Sequence, residues 1–363
     1  MWLADLPGVI SADQLAATVS SIEDTQLRGG LIPWFEGGHA DVWNHTEAAM
    51  ALLLGGRRTE AEAAWRWLAA NQRPDGAWHR YYVVDDAGRQ HVEEDKLDAN
   101  CCAYVATGLW HAYRCTGDRA LAAAYWPMVR RALDFVVGLQ TDRGEILWAR
   151  HADGTPWSFA LLTGSCSISL SLRCGLALAE VLGDRQPAWE AALARLLRVI
   201  RHDPGAFAPK HRWAMDWYYP VLVGALDPEA ADARLEQGRD RFLMDGQGVR
   251  CVVDEPWVTA AETCEAALAH LAAGRSQQAL ALFSWVQAHR HGPSGRYFTG
   301  LVHPGAVTFP DQETSTYSAA AVVLCADALS AASPAADLFT NPPPAAAAEP
   351  RPTRLTAQER ATG

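Results

Sequence analysis

Carboxylates, tryptophans and tyrosines fall together in six stretches of this 363-residue chain. The first, 29–43, carries Trp34, Glu36, Asp41 and Trp43, with His45 and Glu47 close behind. The second, 72–82, brings Trp78, Tyr81 and Tyr82, and Asp98 and Asn100 follow it. The third, 140–157, holds Trp148, Arg150, Asp153 and Trp157; the fourth, 204–220, holds Lys210, Arg212, Asp216, Trp217, Tyr218 and Tyr219. The fifth, 245–257, has Arg250, Asp254, Glu255 and Trp257, with Glu262 just beyond. The sixth, 294–313, has Tyr297, His303, Asp311 and Glu313, and Tyr317 follows. Indole and phenol rings offer apolar faces with a polar edge, which suits the C–H faces of a sugar, while Asp, Glu and Arg bond its hydroxyls. Hydrolysis of a glycosidic bond by inversion further needs one protonated and one ionised carboxyl, ~6.5–9.5 Å apart.

Each of these residues also has a plainer role open to it. Asp41, Asp98 and Asp216 stand where helices are expected to begin, and an aspartate there caps the first turn. Trp65, Trp67, Trp126, Trp189 and Trp285 lie in amphipathic segments and are expected to pack. Asp41, His45 and Glu47 do not have the spacing of a zinc motif, so no metal and no other cofactor is expected. Glu262 and Glu265 interrupt an apolar helical run, where a carboxylate needs a partner or a function.

The elements that must position these loops are helical. After each loop comes a run of small and apolar residues, starting near Val42, Asp98, Phe159, Asp216, Thr259 and Thr314. A helix apolar nearly all round must be buried on most faces. Between these runs lie five amphipathic segments, one of which, 59–72, opens on Thr59 as a cap with acidic residues in its first turn. A sixth is available at 11–27, where Ser11 and Gln14 form a capping-box pattern. Six buried helices alternating with six amphipathic ones predict an all-α, single (α/α)6 toroid over 1–331, closed by the N-terminal helix. A Pro/Ala-rich tail, 332–363, is expected to be disordered. An open helical solenoid is the competing architecture, but long aromatic loops on one side of every hairpin favour the ring.

Composition narrows the partners. With 42 acidic against 31 basic residues the net charge is −11, which discourages nucleic acid and anionic membrane. No uncharged apolar stretch of about 20 residues predicts a membrane span. The N-terminus lacks a signal-peptide pattern, and the eight cysteines show no disulfide or zinc spacing, so a cytoplasmic protein with buried thiols is expected. A small-molecule or oligosaccharide substrate fits best; the oligomeric state is left open.

The pattern of six hairpins resembles the glucoamylase-type glycoside hydrolases. DVWNHTEAA at 41–49 resembles the Asp/Trp/Glu entry of their bacterial members, and PDQETSTYSAAAVVLCADAL at 310–329 resembles their final loop and helix. That resemblance implies Glu313 as general base, with Asp311 as its competitor. It places the general acid in the loop before the third inner helix, in a Trp-Glu-Glu setting. Here that loop offers Asp153 between Trp148 and Trp157, with Asp216 and Glu255 as alternatives. Trp34, Glu36, Asp41, Trp43, Glu47, Trp78, Asp98, Trp148, Trp217, Tyr218, Arg250, Trp257, Glu262 and Tyr317 are then the candidate substrate-binding residues.

QRPDGAW at 72–78 is similar to the Q-x-x-x-G-x-W repeat of terpene-cyclase and prenyltransferase toroids, with an imperfect echo at 139–148. In that family the Gln and Trp tie outer helices together, so the motif implies a fold rather than a reaction. The DxDD acid motif of the cyclases and the zinc ligands of the prenyltransferases are missing. A prenyl enzyme, or a toroid that binds a glycan or a protein without catalysis, are the alternatives to a glycosidase.

Overall fold

The computed structural model describes residues 1–85 and 87–345. Its helices are α1 (Ala12–Thr25), α2 (Val42–Leu54), α3 (Arg58–Asn71), α4 (Ala99–Ala103), α5 (Val105–Thr116), α6 (Arg119–Val137) and α7 (Leu162–Leu182). They continue with α8 (Pro187–His202), α9 (Ala214–Leu222), α10 (Pro228–Phe242), α11 (Ala260–Ala272), α12 (Ser276–Val286) and α13 (Thr316–Ser330). Inner helices contact each other in sequence, α2 with α5, then α7, α9, α11 and α13, and α13 returns to α2. That last contact closes the ring and excludes the open solenoid. Each inner helix backs onto an outer one, and α1 covers α13 as the N-terminal closure requires.

Local sequence explains the ends. Ser11 and Gln14 form the reciprocal capping box that opens α1. Asp41 and Asp98 cap α2 and α4. Thr59 does not cap α3, which starts one residue earlier with no side-chain cap at all. Only α7 among the described helices is long and apolar enough to cross a membrane, and it is mostly buried within the ring.

A glutamine staple repeats around the outside. Gln72 Nε2 donates to the carbonyls of Gly76 (2.8 Å) and of Met128 in α6 (2.9 Å). Gln26 does the same with Gly30 and with Glu60 in α3, and Gln140 with Gly144 and with Ala192 in α8. The motif therefore joins α1 to α3, α3 to α6 and α6 to α8, and its echoes at Gln26 and Gln140 keep the Gln and Gly but not the Trp.

Among the described residues the loops hold nine short strands: β1 (Tyr81–Val84), β2 (Gln90–Glu94), β3 (Leu97–Asp98), β4 (Ala149–Arg150), β5 (Leu243–Met244), β6 (Gly248–Val249), β7 (Trp257–Thr259), β8 (Phe298–Val302) and β9 (Val307–Thr314). They pair antiparallel, as β1–β2, β3–β4, β5–β6 and β7–β8–β9. Together with isolated bridges they chain the six loops into a second ring above the helices. Ala40 bridges Tyr82, β3 pairs with β4, Ala160 bridges Phe207, Trp213 bridges Val252, and β7 pairs with β8. The circle closes where Thr316 N donates to the carbonyl of Trp34 at 2.7 Å. At the opposite end, the expected disordered tail is packed at its start. Ala335, Leu338 and Phe339 are buried, Arg114 holds the Pro334 carbonyl and Asp337, and Phe339 lines the floor of the ring beside Leu222, Leu268 and Leu324. The rest of the tail, from 346, lies outside the described residues.

Candidate active site

Two aspartates at the mouth are held by the same device. Asp41 Oδ1 accepts from Asn44 N (2.9 Å), and its Oδ2 accepts from the Trp34 indole N–H (2.7 Å) and from Asn44 Nδ2 (2.5 Å). Asp98 Oδ1 accepts from the backbone of Asn100 and Cys101, and its Oδ2 from the Trp148 indole at 2.7 Å. In each case an N-cap aspartate of an inner helix is turned by a loop tryptophan. The side-chain Oδ1 atoms of Asn44 and Asn100 and the Trp43 indole N–H are buried without a partner among the described residues. Buried polar groups left open in this way carry a penalty that a ligand's hydroxyls can remove.

Between the two aspartates lies Arg80, which donates to Cys101 Sγ (2.7 Å) and to the Tyr81 hydroxyl (3.1 Å). Burial opposes its charge, yet the Cys101 sulfur, Asp41 and Asp98 together hold it more firmly protonated than usual. Aromatic rings surround this polar group. Tyr317 lies 5.9 Å from Trp34 and 5.5 Å from Trp43, which stacks on Tyr104 at 4.5 Å. Lys96 sits 4.3 Å over Trp148, and Trp257 stacks on Phe309 at 4.7 Å.

Glu262 enters from the first turn of α11 and is half-buried. Its low-dielectric surroundings push its carboxyl above the ordinary range. The Tyr317 ring lies beside Trp34, the tryptophan that holds Asp41. Since α13 lies between α11 and α2 in the ring, Tyr317 stands between Glu262 and Asp41.

Beneath the mouth, Glu265 accepts from the hydroxyls of Tyr218 and Tyr219, and Glu47 accepts from Tyr104 at 2.7 Å. All five are buried. Burial pushes Glu265 up to about 7 and Glu47 well above its usual range. A carboxyl with a raised folded-state pKa stabilises the fold fully below its unfolded value and loses that contribution as pH rises through the folded one. Stability should therefore fall between pH 4.5 and about 7, in the part due to Glu265. Thermal melts across that window should be flatter for Glu265→Gln than for the native chain.

Several expected residues lie elsewhere. Asp153 is exposed in a turn, accepting from the Thr155 N–H, and that bond pulls its carboxyl below the usual range, opposite to what a general acid needs. Asp216 is buried beside Thr163 Oγ1 (2.8 Å) in an off-axis cleft, because α9 begins at Ala214 and turns this residue towards the rim. Trp217 points outward, donating to the Arg234 carbonyl and stacking on Phe242 of α10. Trp78 is 1% exposed with its N–H on the Leu68 carbonyl, so it packs and meets no ligand. Tyr218 serves the floor through Glu265. Glu313 lies on β9 with Oε1 accepting from Thr299 (2.7 Å), and the network of carboxylates and tyrosines is built without it. Glu255 is half-buried in the turn before β7, Glu36 is exposed in the first loop, and Arg250 donates to the Val253 carbonyl. His45 engages Ile32 N and the Ala64 carbonyl, a core role. Arg80, which no sequence pattern singled out, is the central cation.

No family model matches the chain. It is 47% identical over 337 residues, 92% of its length and 91% of the relative's, to the MMP endo-(1,4)-3-O-methyl-alpha-D-mannosidase of Mycolicibacterium hassiacum. Among solved structures it resembles a GH63 mannosylglycerate hydrolase from Thermus thermophilus in complex with glucose, with TM-score 0.64, 14% identity, 86% of this chain and 99% of that one. A D-mannose isomerase matches with TM-score 0.65, 12% identity, 89% of this chain and 99% of that one. At such identities these structures share the fold alone.

Proposed function

The chain belongs to the family of the M. hassiacum endo-mannosidase, and from that premise we propose that it cleaves internal α-(1→4) bonds of a 3-O-methyl-D-mannose chain. It is a glycosidase-like, carbohydrate-active hydrolase. The finer reading is that Glu262 is the general acid and Asp41 the carboxylate that activates water. The observation that carries the pair is the contrast between them at one mouth. Burial keeps Glu262 protonated to higher pH than usual, whereas three N–H donors fix the oxygens of Asp41. Two carboxyl groups in different environments are the mark of acid/base division of labour.

In this reading the Glu262 proton passes to the glycosidic oxygen as the C1–O bond breaks. Water adds to C1, and Asp41 takes its proton. Trp34, Trp43 and Tyr317 form the aromatic wall beside the reacting sugar, while Arg80 and Asp98, the latter held by Trp148, bind its hydroxyls. The eight cysteines, all buried free thiols, support a reducing cytoplasmic setting.

Incubation with α-(1→4)-linked 3-O-methyl-D-mannose oligosaccharides, and separately with maltooligosaccharides, tests the proposal. Mass spectrometry should find shorter internal fragments from the methylated mannosides only. Stepwise release of single sugars, or cleavage of the glucan alone, would overturn it.

A further inference from the structure

A cleft of about 660 Å3 opens off the ring axis, between α8, α10 and the loop before α9. Its wall includes Phe207, His211, Trp213, Asp216 and Gln237, and neither Asp41 nor Glu262 reaches it. Trp213 is 44% exposed, the only tryptophan among the described residues left so open. Its backbone bridges Val252 of the fifth loop, so the cleft stands on the rim of the mouth. Keeping a large indole in water forgoes the stabilisation that burial would supply, and such exposure marks a contact surface when polar groups rim it.

Much of the guanidinium donor capacity in this wall is already used. Arg234 donates to the carbonyls of Asp216 and Trp217, and Arg241 to that of His211, so these guanidiniums brace the wall. Among the α9 residues that line the cleft, Asp216 offers a carboxyl that can accept from a hydroxyl, beside Trp217 and Pro220. A flat indole, a carboxyl, a histidine and an amide around one cleft match a neutral polyol with apolar faces.

We propose that this cleft is a second saccharide-binding site, holding a distal stretch of the substrate chain outside the hydrolytic mouth. This rests on the endo-mannosidase reading, since only a polymer reaches both places. Loss of a stacked aromatic platform is expected to weaken binding about 5–10-fold. With Trp213→Ala, KM for chains of about ten sugars should rise by that factor, while kcat, and KM for chains of about four, stay unchanged. Trp213→Phe, which keeps a ring, should recover part of the loss. Equal effects at both lengths, or none at either, would overturn the proposal. Calorimetry of the long chains with wild type and Trp213→Ala separates this from failure of the hydrolase reading. If no chain is cleaved but binding is weakened by Trp213→Ala, the site stands and the hydrolase reading falls. If binding is absent or unchanged, the site falls.

Discussion

Glu262→Gln lowers kcat on the methylated mannoside by about 10²–10⁴-fold, the usual range for removing a general acid, with little change in KM. Gln fills the same volume at the first turn of α11 and bonds like the neutral carboxyl, but it cannot release a proton. Because burial already disfavours the charged form of Glu262, the substitution removes a desolvation cost and should leave the melting temperature unchanged or raised. A parallel fall in activity and stability would instead make Glu262 a structural residue. Wild-type activity should persist to higher pH than a solvent-exposed glutamic acid would allow, and decline once Glu262 ionises.

A large effect on stability is expected from Gly76→Val. Gly76 has φ of +88°, a region that β-branched residues avoid, and a Cβ there would lie 2.2 Å from the Arg131 carbonyl oxygen of α6. The glycine permits close approach of one hairpin to the next outer helix, and Gln72 fastens the same joint. Backbone strain and overpacking combine, so destabilisation by about 3–5 kcal/mol is expected. Gln72→Ala removes the side-chain bonds without a clash and should cost about 1–3 kcal/mol. Urea melts of both variants measure this; similar losses for the two would mean that the clash relaxes freely.

The ring was legible in the sequence because its signal is repetitive. Six apolar runs after six aromatic loops leave few ways to bury so many apolar faces, and Ser11 with Gln14 marked the closing helix. The site was legible only as a set of loops. Which way a side chain points depends on where its helix starts, and each turn of error rotates it away. Starting α9 at Ala214 sends Asp216 to the rim and Trp217 to α10. Asp153 sits where the glucoamylase likeness looks for an acid, but a tight turn exposes it. Arg80 carried no pattern of its own. Its importance comes from two aspartates, 57 residues apart in the chain, that the bridge at Ala40–Tyr82 and the β3–β4 pair bring to either side of it. Composition misleads at the start of the tail, 332–345, because Pro and Ala dominate it, whereas Leu338 and Phe339 have a floor to fill.

Fold alone does not choose the reaction, since a D-mannose isomerase shares this ring. The division of labour between Glu262 and Asp41 is therefore best tested by leaving-group dependence. An oligosaccharide glycoside of 2,4-dinitrophenol departs without protonation and has no need of a general acid. Glu262→Ala should hydrolyse it within about tenfold of the wild-type rate while losing about 10²–10⁴-fold on the natural linkage, and Asp41→Ala should be impaired on both. Equal loss by Glu262→Ala on the two substrates, or full activity of Asp41→Ala on either, would contradict the assignment.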